Sequence, residues 1–511
     1  MNIRRESMII EFPINLQYSR IFLISFCLFS FGTAFQASEI DPTRETGRPN
    51  FIHIMVDDMS ADAMGFCDRF DFMKTPHMDT MAASGIVFNK FFVTTSLCSP
   101  SRASILTGRY GHGTGVPDNS VESDPDPRLP TYPGLLQEAG YVTAHIGKWH
   151  MGHGDHPRPG FSHWYGFDGQ GVYFDPVMNR NGKQEQIKGY LTDIITDEAI
   201  AFMRENKDQP FLLNLWHKAA HGPFLPPPRH EGFLDDVDYP KPVSWDDDLR
   251  NKPSWRRRNR AFGGAHLNYW LASEGTPIPD TAPVPPFTYE ATLESRNHLS
   301  TLFAVDDSLG RIMATLDELG LLDNTVVIFT ADNGFFLGEY ARGDKRLADD
   351  VSMRVPMILH YPALKRGGET IDAIGLNIDF APTFLDWAGV EMPESIQGSS
   401  LVPLLEGKVA NLRDQFLYEY FQEEYAPGFP TILALRTERW KYVHHPYDPA
   451  AHDELFDLKT DPHEQYSLHG KAEFADQLER LKGSMEQEME RLEYKRPAYH
   501  FDPANYTGKN P

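Results

Sequence analysis

Cys98 stands in the run Cys98-Ser99-Pro100-Ser101-Arg102, a pattern able to bring a thiol, a cation and a helix end to one point. Ser99 suits a helix cap and Pro100 the first helical position, so Ser101 to Thr107 is expected as a short helix stopped by Gly108. Cys98 would then face free backbone N–H groups that favour an anion, with Arg102 on the first turn reaching the same spot. Taken alone, the cysteine has two ordinary fates. It is a buried, inert thiol, or it is a thiolate nucleophile at a helix N-terminus.

Other segments carry matching chemistry. Asp57-Asp58 and Asp332-Asn333 each close an apolar run. Either pair alone reads as a turn or a cap. Together, three carboxylates and an amide oxygen form a hard donor set suited to Ca²⁺ or Mg²⁺. Lys148 and His150 follow a further apolar run. Beside an oxyanion they would supply fixed positive charge and a hydrogen bond; otherwise they belong to a solvated loop. His217 and His221 lie in Trp216-His217-Lys218-Ala219-Ala220-His221, and histidine suits proton transfer because its ordinary pKa is near neutrality. Lys345 lies in Gly343-Asp344-Lys345-Arg346, where Arg346 is expected to form a structural ion pair. The basic cluster Arg256 to Arg260 is expected as a solvated loop balancing nearby aspartates.

Positioning these groups requires a scaffold. Short apolar runs at Asn50 to Val56, Tyr141 to Ile146, Phe211 to Trp216, Thr325 to Thr330 and Pro356 to Tyr361 read as buried strands. Helical patterns lie between them, clearest through Leu302, Val305, Leu309, Ile312, Leu316 and Leu319, with Gly320 as the stop. The expected class is α/β: a large, mostly parallel sheet with helices on both faces, binding its ligand at the strands' carboxyl ends. Gly222 to Pro286, with its proline clusters and charge runs, is expected as a surface insertion. After Ala388 the pattern changes to a smaller antiparallel sheet, with strands at Leu417 to Phe421, Ile432 to Arg436 and Trp440 to His444. A helix through Phe474, Leu478, Leu481, Met485, Met489 and Leu492 is expected to pack on it. The division is therefore a catalytic domain over 48–390, with an insertion near 222–290, and a smaller subdomain over 391–511.

The chain has 511 residues and a formal net charge of -24, which argues against nucleic-acid binding and against docking on anionic membranes. Arg4, Arg5 and Arg20 precede the apolar stretch Ile21 to Phe35, and small residues Ala37 and Ser38 follow. Residues 1–37 are therefore expected to be a signal peptide, giving an exported protein, periplasmic or secreted, with no later membrane span. Losing the leader removes Cys27 and leaves Cys67 and Cys98, enough for one disulfide.

Cys98-Ser99-Pro100-Ser101-Arg102-Ala103-Ser104-Ile105-Leu106-Thr107-Gly108 resembles the first signature of type I sulfatases, and Gly140-Tyr141-Val142-Thr143-Ala144-His145-Ile146-Gly147-Lys148-Trp149-His150 resembles the second. The likeness runs from Pro49 to Glu454-Leu455-Phe456-Asp457-Leu458 and is weakest in the insertion. It implies an alkaline-phosphatase-like fold and hydrolysis of a sulfate ester. In that family a formylglycine-generating enzyme converts the motif cysteine to 3-oxoalanine (formylglycine), which here would be Cys98 and would leave Cys67 without a disulfide partner. The resemblance further implies Asp57, Asp58, Asp332, Asn333 and position 98 as ligands of Ca²⁺, with Mg²⁺ the other candidate. Its implied catalytic set is Cys98, Arg102, Lys148, His150, His221 and Lys345. His221 would protonate the leaving oxygen, His150 would accept a proton, and His217 would contact substrate. The chain has Ala220 where many relatives have proline, which leaves the roles of His217 and His221 open. Asp344-Lys345-Arg346 is similar to sulfatases that act on carbohydrates. Phosphonate and phosphodiester hydrolases share the framework, and a non-catalytic protein binding sulfated glycans is a further class. The complete set of expected catalytic residues argues against that last reading.

Overall fold

The computed structural model describes residues 47–120, 124–258, 284, 286–424, 426–448 and 451–497. The expected signal peptide, residues 259–283 of the expected insertion and the last fourteen residues lie outside the described residues.

Among the described residues, ten strands form the main sheet. Across it they run Glu369–Ile371, Ile86–Phe88, Met357–His360, Thr325–Ala331, Asn50–Val56, Phe211–Trp216, Val142–Lys148, His163–Phe167, Val177–Arg180 and Lys183–Gln186. The five from Thr325–Ala331 to His163–Phe167 are mutually parallel. Every residue of Asn50–Val56, Phe211–Trp216 and Thr325–Ala331 is buried. Strands covered on both faces have no solvent side and so read as near-continuous apolar runs, which made them visible in the sequence. Antiparallel pairs flank this parallel centre, Met357–His360 against both of its neighbours and Val177–Arg180 against both of its own, while the edge strand Glu369–Ile371 runs parallel to Ile86–Phe88.

Helices cover both faces. Pro76–Ser84, Leu191–Glu205 and Tyr289–Glu318 pack together as one group, and Cys98–Thr107, Tyr132–Glu138 and Phe380–Ala388 as another. The second group lies on the face of Phe51 and His53, whose rings meet Phe384 at centroid distances of 5.2 and 5.8 Å. Tyr289–Glu318 is longer than its aliphatic stripe suggested. Thr288 caps its start by accepting from the Ala291 N–H, and more polar turns precede Leu299. Its buried Leu302, Val305, Leu309, Ile312 and Leu316 each contribute about 1.5–3 kcal/mol of apolar burial.

A second sheet is an antiparallel meander of Gln415–Tyr420, Ile432–Thr437, Trp440–His444 and Glu454–Asp457. The helix Ala475–Arg491 lies against it with Leu481 and Met485 buried, as its periodicity predicted.

The insertion departs from expectation. Residues 222–253 are irregular, but Trp245, Leu249 and Trp255 are buried. Arg256 is not part of a solvated loop. It is 4% exposed and donates to Asp349 at 2.6 Å and Glu454 at 3.2 Å, joining the insertion to the second sheet. Both carboxylates come from distant segments, so the local balance of charge gave no sign of this role. Cys67 and Cys98 are both free thiols.

Candidate active site at the strand carboxyl ends

The strand register gathers the expected groups on one rim. Val56 pairs with Ala331, and Trp216 pairs with both Met55 and Gly147. Asp57, Asp332, His217 and Lys148 therefore emerge side by side, the position where open α/β sheets bind ligands. Backbone bonds continue past the strands and fix these turns. The Asp57 N–H donates to the Ala219 carbonyl (2.8 Å), Asp332 N–H to Val56 (3.0 Å) and His217 N–H to Met55 (2.8 Å). Lys148 is the last residue of its strand and fully buried, not part of a following loop. Its approach depends on Gly147, whose φ is +115° and where a Cβ would collide with the Trp216 carbonyl.

The helix that carries the cysteine starts one turn earlier than expected. It spans Cys98–Thr107, Leu97 is its N-cap, and every residue in it is buried. Ser99 does not cap. Its hydroxyl donates to the His150 carbonyl and lies 3.3 Å from His150 Nδ1. The Ser99 N–H, expected to be free for an anion, donates to Asn119 Oδ1 at 2.9 Å. Cations and carboxylates, more than the helix end, therefore define the environment of Cys98. Gly108 ends the helix in the left-handed region at φ 65°, as predicted.

Cys98 Sγ is 3.0 Å from Lys345 Nζ, 3.4 Å from Asp57 Oδ1 and 4.0 Å from Asp58 Oδ1. Burial, reinforced by the Asp57 charge, pushes its thiol up to about 12. Both effects favour the protonated thiol and count against a plain thiolate nucleophile. Arg102 donates through Nε and Nη2 to Asp332 Oδ2 at 3.0 and 2.7 Å, and through Nη1 to the Lys148 carbonyl at 2.7 Å. Lys148 pairs with Asp57, and Lys345 pairs with Asp58. His221 places Nε2 3.8 Å from Asp58 Oδ2. Burial, then Lys148, lowers His221 to about 4. The same two causes hold His150 well below its ordinary value.

The carboxylates fit a hard cation. Ligand atoms of Asp57, Asp58 and Cys98 all lie within 4.8 Å of one another. Burial, then the Asp57 charge, raises Asp332 to about 6. Asn333 donates from Nδ2 to Asp58 Oδ1 at 2.8 Å, while its Oδ1 is buried without a partner among the described residues. An orphaned amide oxygen beside crowded carboxylates is the donor set that Ca²⁺ or Mg²⁺ requires.

Three placements were not legible in the sequence. Gln170 accepts from Lys148 Nζ at 2.5 Å and donates to His150 Nε2 at 3.0 Å, joining two expected catalytic residues. His298 donates to the Asp58 carbonyl at 2.6 Å. His217 is fully buried, and neither of its ring nitrogens has a hydrogen-bond partner among the described residues. Burial lowers it to about 3, so it stands apart from the paired groups. Arg346 forms the expected ion pairs, with Glu423 at 2.6 Å and Asp344 at 2.7 Å.

The chain matches the family described as Sulfatase over residues 49–390, and the one described as N-sulphoglucosamine sulphohydrolase, C-terminal, over 338–492. The N-acetylglucosamine-6-O-sulfatase of Bacteroides thetaiotaomicron is 36% identical over 498 residues, covering 88% of each chain. A solved relative in complex with its substrate, D-glucosamine-2-N,6-O-disulfate, superposes with a TM-score of 0.79 at 34% identity, covering 88% of this chain and 99% of that one. The phosphonate monoester hydrolase of Silicibacter pomeroyi has a TM-score of 0.70 at 23% identity, covering 87% of this chain and 95% of its own, a likeness of fold alone.

Proposed function

The chain belongs to the sulfatase family and is a sulfuric ester hydrolase, and from that premise we propose that it removes the 6-O-sulfate of a sulfated glucosamine through Cys98 converted to formylglycine. The observation that carries this reading is the buried ring of Lys345, Lys148, Arg102, Asp57 and Asp58 around Cys98, in a chain that shares 36% identity with an N-acetylglucosamine-6-O-sulfatase.

Hydrated formylglycine supplies one hydroxyl to attack sulfur and a second whose deprotonation releases sulfate. Asp57, Asp58, Asp332 and Asn333 would hold Ca²⁺, which supplies Lewis-acid stabilisation of charge on the sulfate. Lys148 and Lys345 lie beside Cys98 and its neighbouring carboxylates, so their ammonium groups can bind the equatorial sulfate oxygens. Arg102 anchors Asp332 and adds positive charge beneath the site. His221 presents Nε2 at the rim and protonates the departing sugar oxygen. His150 takes the proton of the second hydroxyl, with Gln170 and Ser99 orienting its ring.

The maturation partner in this reading is a formylglycine-generating enzyme. The leader-like N-terminus supports export to the periplasm or beyond, and the change of pattern after Ala388 supports a catalytic domain over 48–390 followed by a smaller subdomain. Sulfate release from a panel of sulfated mono- and oligosaccharides tests the substrate. Preferential turnover of N-acetylglucosamine 6-sulfate is expected. Preferential hydrolysis of an aryl phosphonate would instead favour the phosphonate-ester chemistry known on this fold.

A further inference from the structure

His221 is held by two residues that the catalytic reading does not use. The Tyr173 hydroxyl donates to the His221 carbonyl at 2.7 Å. The Lys218 ammonium donates to the Gly222 carbonyl at 2.9 Å, and that same carbonyl lies 3.0 Å from His221 Nδ1. Lys218 also sits over the Tyr173 ring, 5.0 Å from its centroid, and the Tyr173 ring stacks on Tyr190 at 5.7 Å. A turn closes the arrangement, with the His221 N–H donating to the Lys218 carbonyl at 2.9 Å. Lys218 is 1% exposed and Tyr173 2% exposed.

Two points of chemistry follow. A carbonyl can only accept, so Nδ1 must carry a proton when it meets Gly222, and Nε2 is left facing Asp58. An ammonium buried against a carbonyl and a ring face, with no carboxylate in hydrogen-bond contact among the described residues and only the more distant charges of Asp57 and Asp58 in its favour, costs desolvation energy that packing alone does not recover. Its position is accounted for if it fixes the carbonyl that orients the imidazole.

We propose that Tyr173 and Lys218 are positioning residues for His221, clamping its backbone and the Gly222 carbonyl so that Nε2 meets the leaving oxygen. The inference rests on His221 being the general acid. In that step a hydroxyl oxygen at position 98 bonds to sulfur as the ester O–S bond breaks, and the sugar oxygen takes the Nε2 proton of a doubly protonated His221, whose charge Asp58 and the bound sulfate would favour against burial. His221 is left neutral, with Nδ1–H still donating to the Gly222 carbonyl.

Tyr173→Phe and Lys218→Met, each alone and combined with His221→Ala, test this in matured full-length protein. The readouts are kcat and KM on N-acetylglucosamine 6-sulfate and a crystal structure of each single variant. Each single variant is expected to lose about 10-fold or more in kcat with KM within about twofold, as for a displaced proton donor. In each single variant the His221 ring should swing away from the Gly222 carbonyl, and each double variant should match His221→Ala alone. Losses that multiply in the doubles, unchanged kcat in both singles, or an unmoved ring in both would overturn the clamp. Full kcat in His221→Ala would sink the general-acid reading itself, an outcome distinct from failure of the clamp.

Discussion

Cys98 Sγ lies 3.0 Å from Lys345 Nζ, although 247 residues separate them in the chain. Both are buried, and Lys345 pairs at the same time with Asp58. The lysine therefore links the residue proposed as the precursor of the nucleophile to a carboxylate of the expected metal site. Replacing Lys345 with methionine should lower kcat about 10²–10³-fold, the loss typical of removing one preorganised charge at a reacting oxyanion. Steady-state kinetics on the preferred sulfated sugar check this; a loss under tenfold would remove Lys345 from the reacting centre.

Gln170 makes a separate prediction. Gln170→Ala removes one contact each from Lys148 Nζ, which keeps Asp57, and from His150 Nε2, so both are held less firmly. A fall of about tenfold in kcat is expected at nearly constant KM. A rise in KM alone would make Gln170 a binding contact instead.

Asp332→Ala should reduce bound calcium, measured by elemental analysis of purified protein, and abolish turnover. The same variant deprives Arg102 of the carboxylate oxygen that accepts from both its Nε and its Nη2. Unchanged metal content would show that the cation is held elsewhere.

Arg256 ties the insertion to the second sheet, and its removal strands two buried carboxylates. Arg256→Ala should destabilise the protein by about 3–5 kcal/mol in denaturant titration, as when one partner of a buried ion pair is lost. A change below about 1 kcal/mol would mean that the pair is solvated in practice.

That pair also sets an acid limit. Burial opposes ionisation of Glu454, yet Arg256 and His445 hold its carboxyl down at about 2 against an ordinary 4.5. A carboxyl depressed in the folded state contributes stability that is complete above its unfolded value and is lost as pH falls through its folded value. Glu454 should therefore contribute fully above pH 4.5 and cease to contribute as pH falls past about 2. Arg256→Ala should flatten the stability-against-pH curve in that window; a curve parallel to wild type would contradict the linkage.

Strands buried on both faces were the most legible part of the molecule, because apolar residues dominate there on both sides. Asn50–Val56 and Phe211–Trp216 could be read to the residue. The site was legible where a residue type has a narrow use, as with Asp57-Asp58 or the Cys98 run. It was not legible where position depends on distant chain. Asn119 supplies an acceptor to the Cys98 helix from a loop, a task that local capping rules assigned to Ser99. Gln170 and Tyr173 are ordinary residues whose roles exist only because their segment folds back over Lys148 and His221. Arg256 looked solvated because its carboxylates lie 93 and 198 residues away.

Mass analysis of the peptide containing residue 98, taken from native and active protein, decides whether Cys98 is the precursor of the nucleophile. A side chain that has lost sulfur and two hydrogens and gained one oxygen, the aldehyde, is the predicted result. An intact thiol at position 98 in protein that still releases sulfate would contradict the mechanism.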